Sequence, residues 1–291
     1  MMKTVRAGAM NKRSLILEGA QAATDARDRV GADEIKPIDV YDVAEKLGIR
    51  VRFVDISMEG FYKKGPPAMM LLSSLRPLPR RAFTCGHEAG HHVFGHGSTV
   101  DELKEDERKS SEKPEEILAD AFSTFLLMPT LGIRQAFAVR KWEIETASPF
   151  QLATVASEFG VGYMTLLTHL TYIMSALSKQ RLAELSRWTP QRIREDVFPN
   201  SGLSALSIVD RHSQPSVADL EIGNGILLPR LTDIGTDKLR HVQDVNDFSL
   251  FKAVSRGSGK LRVGLRDLTV RISPERYVGL AKYRYLEEVD E

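Results

Sequence analysis

The stretch Arg80-Arg81-Ala82-Phe83-Thr84-Cys85-Gly86-His87-Glu88-Ala89-Gly90-His91-His92-Val93-Phe94 decides the reading of this chain. It reads as one helix from about Arg80 to Phe94. At roughly 3.6 residues per turn, His87 and His91 project from one face, one turn apart, and Glu88 stands about 100° round from His87. Zinc in a hydrolase takes neutral imidazoles and a carboxylate, with one tetrahedral position left for water. His87 and His91 supply the imidazoles. Glu88 is placed as a general base, taking a proton from the attacking water and passing it to the leaving amine. A metal there would lower the pKa of that water to around 7. The chain has seven histidines, so two at this spacing around a glutamate argue against a chance meeting on a helix surface.

The third ligand separates the classes of zinc peptidase. In the extended pattern with a third histidine six residues after the second, Phe94 stands where glycine is needed and Gly97 where histidine is needed, which excludes that class. His92 is turned about 100° from His91, and His96 falls on roughly the opposite face from His87 if the helix persists, so both read as supporting or surface residues. A stronger candidate lies in Pro114-Glu115-Glu116-Ile117-Leu118-Ala119-Asp120-Ala121-Phe122-Ser123. Glu116, Asp120 and Ser123 form a narrow polar stripe on an otherwise apolar helix, and buried carboxylates need a compensating cation. Glu116 as metal ligand, with Asp120 hydrogen-bonded to the far nitrogen of a ligating histidine, meets that need.

Working outward, helices are expected over about Leu15–Arg29 and, capped by Asp39 and ended by Gly48, over Val40–Leu47. Val51–Val54 and Ala68–Leu72 read as strands of a small sheet, separated by Gly65-Pro66-Pro67. The strand Ala68–Leu72 is a candidate edge for an extended substrate segment. Asp101 to Pro114 is densely charged and reads as a solvated loop. A helix over Glu115–Met128 follows, and a helix pair occupies roughly Phe150 to Leu177. Beyond Trp188, short alternating segments such as Leu261–Leu265 and Leu268–Ile272 predict β-structure. The fold class is therefore α+β: a zinc-peptidase core over 1–130, a helix-turn-helix-like helical subdomain over 131–185 and a β-rich C-terminal domain over 186–291.

The 291 residues are 42% hydrophobic, enough for real cores, and 40 Lys plus Arg nearly cancel 39 Asp plus Glu. No global field draws the chain to nucleic acid or an anionic membrane. The N-terminal basic stretch leads into an apolar run of only Leu15-Ile16-Leu17, which is neither a signal peptide nor a membrane span. The single cysteine, Cys85, fits a reducing compartment. A cytoplasmic protein without a membrane partner is expected.

These residues resemble the ImmA/IrrE family of metallopeptidases over about 15 to 170. The likeness runs through Pro37-Ile38-Asp39-Val40, Leu47-Gly48-Ile49, the lead-in Arg80–Thr84, His87–His91, Glu116–Phe122 and Leu126-Leu127-Met128-Pro129. It implies a gluzincin-like site with His87, His91 and Glu116 as ligands and Glu88 as base. It also implies a protein substrate: a helix-turn-helix transcriptional repressor, cut once to release stress-response or mobile-element genes. The charged insert after the motif and the region beyond about 190 depart from the family pattern, which leaves regulation open. Two histidines and a glutamate accept Zn2+ and also Mn2+ or Fe2+.

Leu152 to Leu170 has the spacing of a helix-turn-helix, with Gly160 and Val161 at the turn. That raises the alternative of a DNA-binding or ligand-sensing regulator that uses the fold without proteolysis. No Lys or Arg occurs between Gly162 and Ser178, however, so the second helix lacks the donors that phosphates and base edges require. Tyr163, Tyr172 and His169 are candidates for stabilising a tetrahedral oxyanion.

Overall fold

The structure, a computed structural model, describes residues 11–101, 113–199 and 202–286. Helix α1 (Lys12–Arg29) is capped by the Asn11 side chain, which accepts the Arg13 N–H. Helix α2 (Val40–Lys46) is capped as its sequence predicts: Asp39 Oδ1 accepts from the N–H groups of Tyr41 and Asp42. Strands β1 (Ile49–Val54), β2 (Gly60–Lys63) and β3 (Ala68–Ser73) follow, then the motif helix α3 (Leu78–Phe94) and the short strand β4 (Thr99–Asp101). The charged segment predicted as a solvated loop lies almost wholly outside the described residues. Next come α4 (Pro114–Leu127) and α5 (Thr130–Val139), divided at Met128-Pro129. Pro114–Val139 is apolar and long enough by composition to cross a membrane. Its α4 half instead packs against both α1 and α3.

Helices α6 (Pro149–Glu158) and α7 (Tyr163–Thr168) form the expected pair, α7 running on into a π-helical turn at His169–Ile173. Ser148 opens α6 with a reciprocal capping box to Gln151. Helices α8 (Lys179–Leu185) and α9 (Pro190–Val197) complete this part. One apolar core holds residues from every helix between Ala23 and Ile193, so the helical region and the sheet beneath it are packed as one.

The β-rich region contributes β5 (Leu206–Ile208), β6 (Val217–Glu221), β7 (Gly225–Pro229), β8 (Asp233–Gly235), β9 (Leu239–Val245), β10 (Phe248–Ala253), β11 (Gly257–Val263) and β12 (Arg266–Ser273). They form two four-stranded sheets, β5-β7-β10-β9 and β6-β12-β11-β8. Ile226, Leu228, Phe251, Leu261, Val270 and Ile272 share a core between them. The last strand, β13 (Gly279–Leu280), leaves this region and pairs with β1 at Arg52 and Phe53.

The sheet of the N-terminal part is therefore five-stranded, β13-β1-β3-β2-β4. Strand β3 lies inside it, parallel to β1 and antiparallel to β2. The expectation that Ala68–Leu72 offers an edge is thus overturned, because both of its backbone edges are already paired. Strand β2 went unpredicted between the two strands that the sequence reading identified, and β4 pairs along its far side.

Candidate metal centre

Helices α3 and α4 cross at very short range because their facing residues are small. A Cβ on Gly86 would lie 2.5 Å from Ser123 Oγ, and one on Gly90 would lie 3.0 Å from Ala119 Cα. That contact sets Glu116 and Asp120, on the first two turns of α4, against the histidine face of α3. His87 Nε2 and His91 Nε2 are 3.1 Å apart. The Glu116 carboxylate reaches both, Oε2 standing 3.7 Å from His87 Nε2 and Oε1 3.7 Å from His91 Nε2. One ligand atom from each residue falls within 4.8 Å of the other two. Both histidines are buried and Glu116 is partly exposed, so the cluster opens on the glutamate side.

The far nitrogens are also engaged. His87 Nδ1 is 2.8 Å from Asp120 Oδ1, and since a carboxylate only accepts, the proton sits on Nδ1 and Nε2 keeps its lone pair. His91 Nδ1 is 2.9 Å from His96 Nδ1. His92, by contrast, turns away: its Nδ1 meets the Tyr62 hydroxyl at 2.7 Å. Burial holds its imidazole below the usual value, opposed by a hydrogen bond to the Leu47 backbone. Ser123, the third member of the polar stripe, donates to the Phe83 carbonyl and takes no part in the cluster.

Glu88 is fully buried on the neighbouring face of α3. Strand β2 passes directly over it: a Cβ on Gly60 would fall 2.9 Å from Glu88 Oε1 and 2.7 Å from Thr84 Cγ2. Gly60 was not singled out in the sequence, since a glycine opening a four-residue strand carries no period to read.

The three oxyanion candidates lie on α7 and its π turn. Tyr163 is buried and donates to the Leu185 carbonyl, while Tyr172 is largely exposed. His169 is buried edge-on against Phe125, which stands nine residues along α4 from Glu116, roughly 13 Å at about 1.5 Å per residue. Cys85 is fully buried, its Sγ facing the Val40 carbonyl, and burial raises its thiol well above the ordinary range.

The donor set fits a divalent metal on its own chemistry. Two nitrogens held at roughly 2.0 to 2.1 Å from one tetrahedral ion sit about 3.3 Å apart, close to the spacing found. The tautomer fixed by Asp120 leaves His87 Nε2 ready to ligate, and a carboxylate completes a three-residue set of the catalytic type. A buried glutamate beside such a set, on a His-Glu-X-X-His helix, is the arrangement that metallopeptidases use.

Comparison with known families points the same way. Residues 44–171 match the family model Peptidase_M78, described as the IrrE N-terminal-like domain. Over those residues, somewhat less than half of the chain, it is similar to the peptidase domain of the ImmA/IrrE family, and its architecture is α+β as expected of that domain. No curated protein matches the sequence. A solved structure described as a Mycobacterium tuberculosis transcriptional regulator aligns over 56% of this chain with 15% identity and a TM-score of 0.33. The alignment spans 52% of that protein, about half its length.

Proposed function

We propose that this chain is a zinc-dependent endopeptidase of the cytoplasm that cuts a helix-turn-helix transcriptional repressor, releasing stress-response or mobile-element genes. The observation that carries the reading is the buried Glu88 carboxylate beside the convergent His87, His91 and Glu116 donors. His87, His91 and Glu116 would hold the ion, which supplies a water of lowered pKa and an electrophile for the scissile carbonyl. Glu88 accepts the proton of the attacking water and returns it to the leaving amine nitrogen. Gly60 fixes where that carboxylate can sit. Asp120 holds the His87 imidazole in its ligating tautomer.

The substrate class rests on the family resemblance and on the face of α7. The exposed side chains along α7 and its π turn include Met164, Thr168 and Tyr172, and none is charged. Such a face favours contact with protein over the phosphates of DNA. The test is co-expression of the wild-type chain, or Glu88→Gln, with the repressor encoded nearest its gene, followed by intact mass. A single metal-dependent cut made only by the wild type is expected. A repressor left whole by a metal-loaded wild type would transfer the weight to a regulator that binds without cutting.

A further inference from the structure

We infer that His96 is a positioning residue for the metal centre, fixing the tautomer and ring orientation of His91 as Asp120 does for His87. The inference rests on the metal-site reading of His87, His91 and Glu116. His91 turns Nε2 toward His87 Nε2 and the Glu116 carboxylate. For Nε2 to offer a lone pair, the His91 proton must lie on Nδ1, since a neutral imidazole has one donor and one acceptor nitrogen. The partner 2.9 Å from that Nδ1 is His96 Nδ1, which must then accept and carry its own proton on Nε2.

The chain builds this contact deliberately. Helix α3 stops at Phe94, and Gly95 takes a left-handed conformation at φ 71°, which reverses the backbone. The His96 N–H donates to the His91 carbonyl at 3.0 Å, tying it to the residue whose ring it meets. Its imidazole stacks on Phe94, the ring centroids 5.5 Å apart and the planes 14° from parallel. Backbone, stacking and ring contact together hold Nδ1 on the far side of His91 from the donor cluster, so His96 orients a ligand and does not join the set.

The experiment is a zinc titration of the metal-stripped full-length chain against a competing chelator, for the wild type, His96→Ala, His96→Asn and His91→Ala. Apo-form thermal unfolding is recorded alongside. His96→Ala is expected to bind zinc roughly 10- to 100-fold more weakly, the usual cost of losing such a partner, with the apo transition unchanged. His96→Asn, whose amide oxygen can accept from His91 Nδ1–H, is expected to recover much of the loss. Wild-type affinity in His96→Ala overturns the inference, as does an equal loss in both His96 variants, which would assign the effect to stacking on Phe94. A wild type that binds no zinc, or binds no better than His91→Ala, overturns the metal-site reading itself.

Discussion

Gly60 and Glu88 lie on separate elements, yet each limits what the other position can be. A methyl at Gly60 would meet Glu88 Oε1 at 2.9 Å and Thr84 Cγ2 at 2.7 Å, closer than real Cβ contacts come, so strand or carboxylate must move. Gly60→Ala is therefore expected to keep its bound metal while cleavage of a reporter peptide falls at least about tenfold, because sub-ångström misplacement of a catalytic group costs one to two orders of magnitude. Turnover measured against metal content checks this, and undiminished turnover would remove Gly60 from the site. At this scale His87, Glu88 and His91 were legible because helical spacing turns sequence separation directly into direction. His96 was only half legible. On a continuing helix it points away, but the helix ends at Phe94 and the left-handed Gly95 brings it back to His91.

Elements meet where side chains are small, and that is how α4 delivers its carboxylates. The polar stripe Glu116–Asp120–Ser123 marked the helix that faces α3, although its three members part company: two serve the histidines and Ser123 caps the Phe83 carbonyl. The π-helical turn after α7 holds a different kind of group. His169 is buried, neither ring nitrogen has a hydrogen-bond partner among the described residues, and burial pushes its imidazole down to about 4. The unfolded chain, with a value near 6.5, takes up this proton before the native state does. Its folded-state advantage is thus complete above about pH 6.5 and is lost as the pH falls toward 4. The depression corresponds to roughly 3 kcal/mol of stability. Denaturant unfolding of the wild type should weaken by that order across the window, and His169→Leu should flatten the slope. An unchanged slope in the variant would assign the acid sensitivity elsewhere.

For the whole molecule, what matters is how the β-rich region is held to the peptidase part. Its alternating segments predicted strands: Leu261–Leu265 overlaps the end of β11, which stops at Val263, and Leu268–Ile272 lies within β12. Its attachment was not legible, because arginines and aspartates far apart in sequence look like ordinary solvent charges, and the two residues of β13 have no pattern. In the structure they become buried or partly buried connections. Arg81, on the motif helix, donates to Glu221 and to the Ser74 carbonyl. Arg140 forks onto Asp210 and also meets Glu158. Asp39, besides capping α2, pairs with Arg271 at 2.8 Å, and Asp219 accepts from both Arg271 and Arg284 at 2.7 Å. Burial alone would raise the Asp219 carboxyl, but the Arg284 and Arg271 guanidiniums outweigh it and hold it below its ordinary 3.8. Asp219→Asn keeps the shape and leaves the buried Arg284 and the partly buried Arg271 with Asp39 as their carboxylate partner among the described residues. Breaking a fully buried pair in this way costs about 3 to 5 kcal/mol; with Asp219 partly exposed, chemical denaturation at neutral pH should show a loss at or below the lower end of that range. The sign in acid follows from the depressed carboxyl: its contribution is present above the unfolded value and disappears as the pH falls through the lower folded one. The gap between wild type and variant should accordingly stay constant down to about pH 4 and close below it, whereas a gap that closed near neutrality would mean that a histidine, and not Asp219, governs the docking.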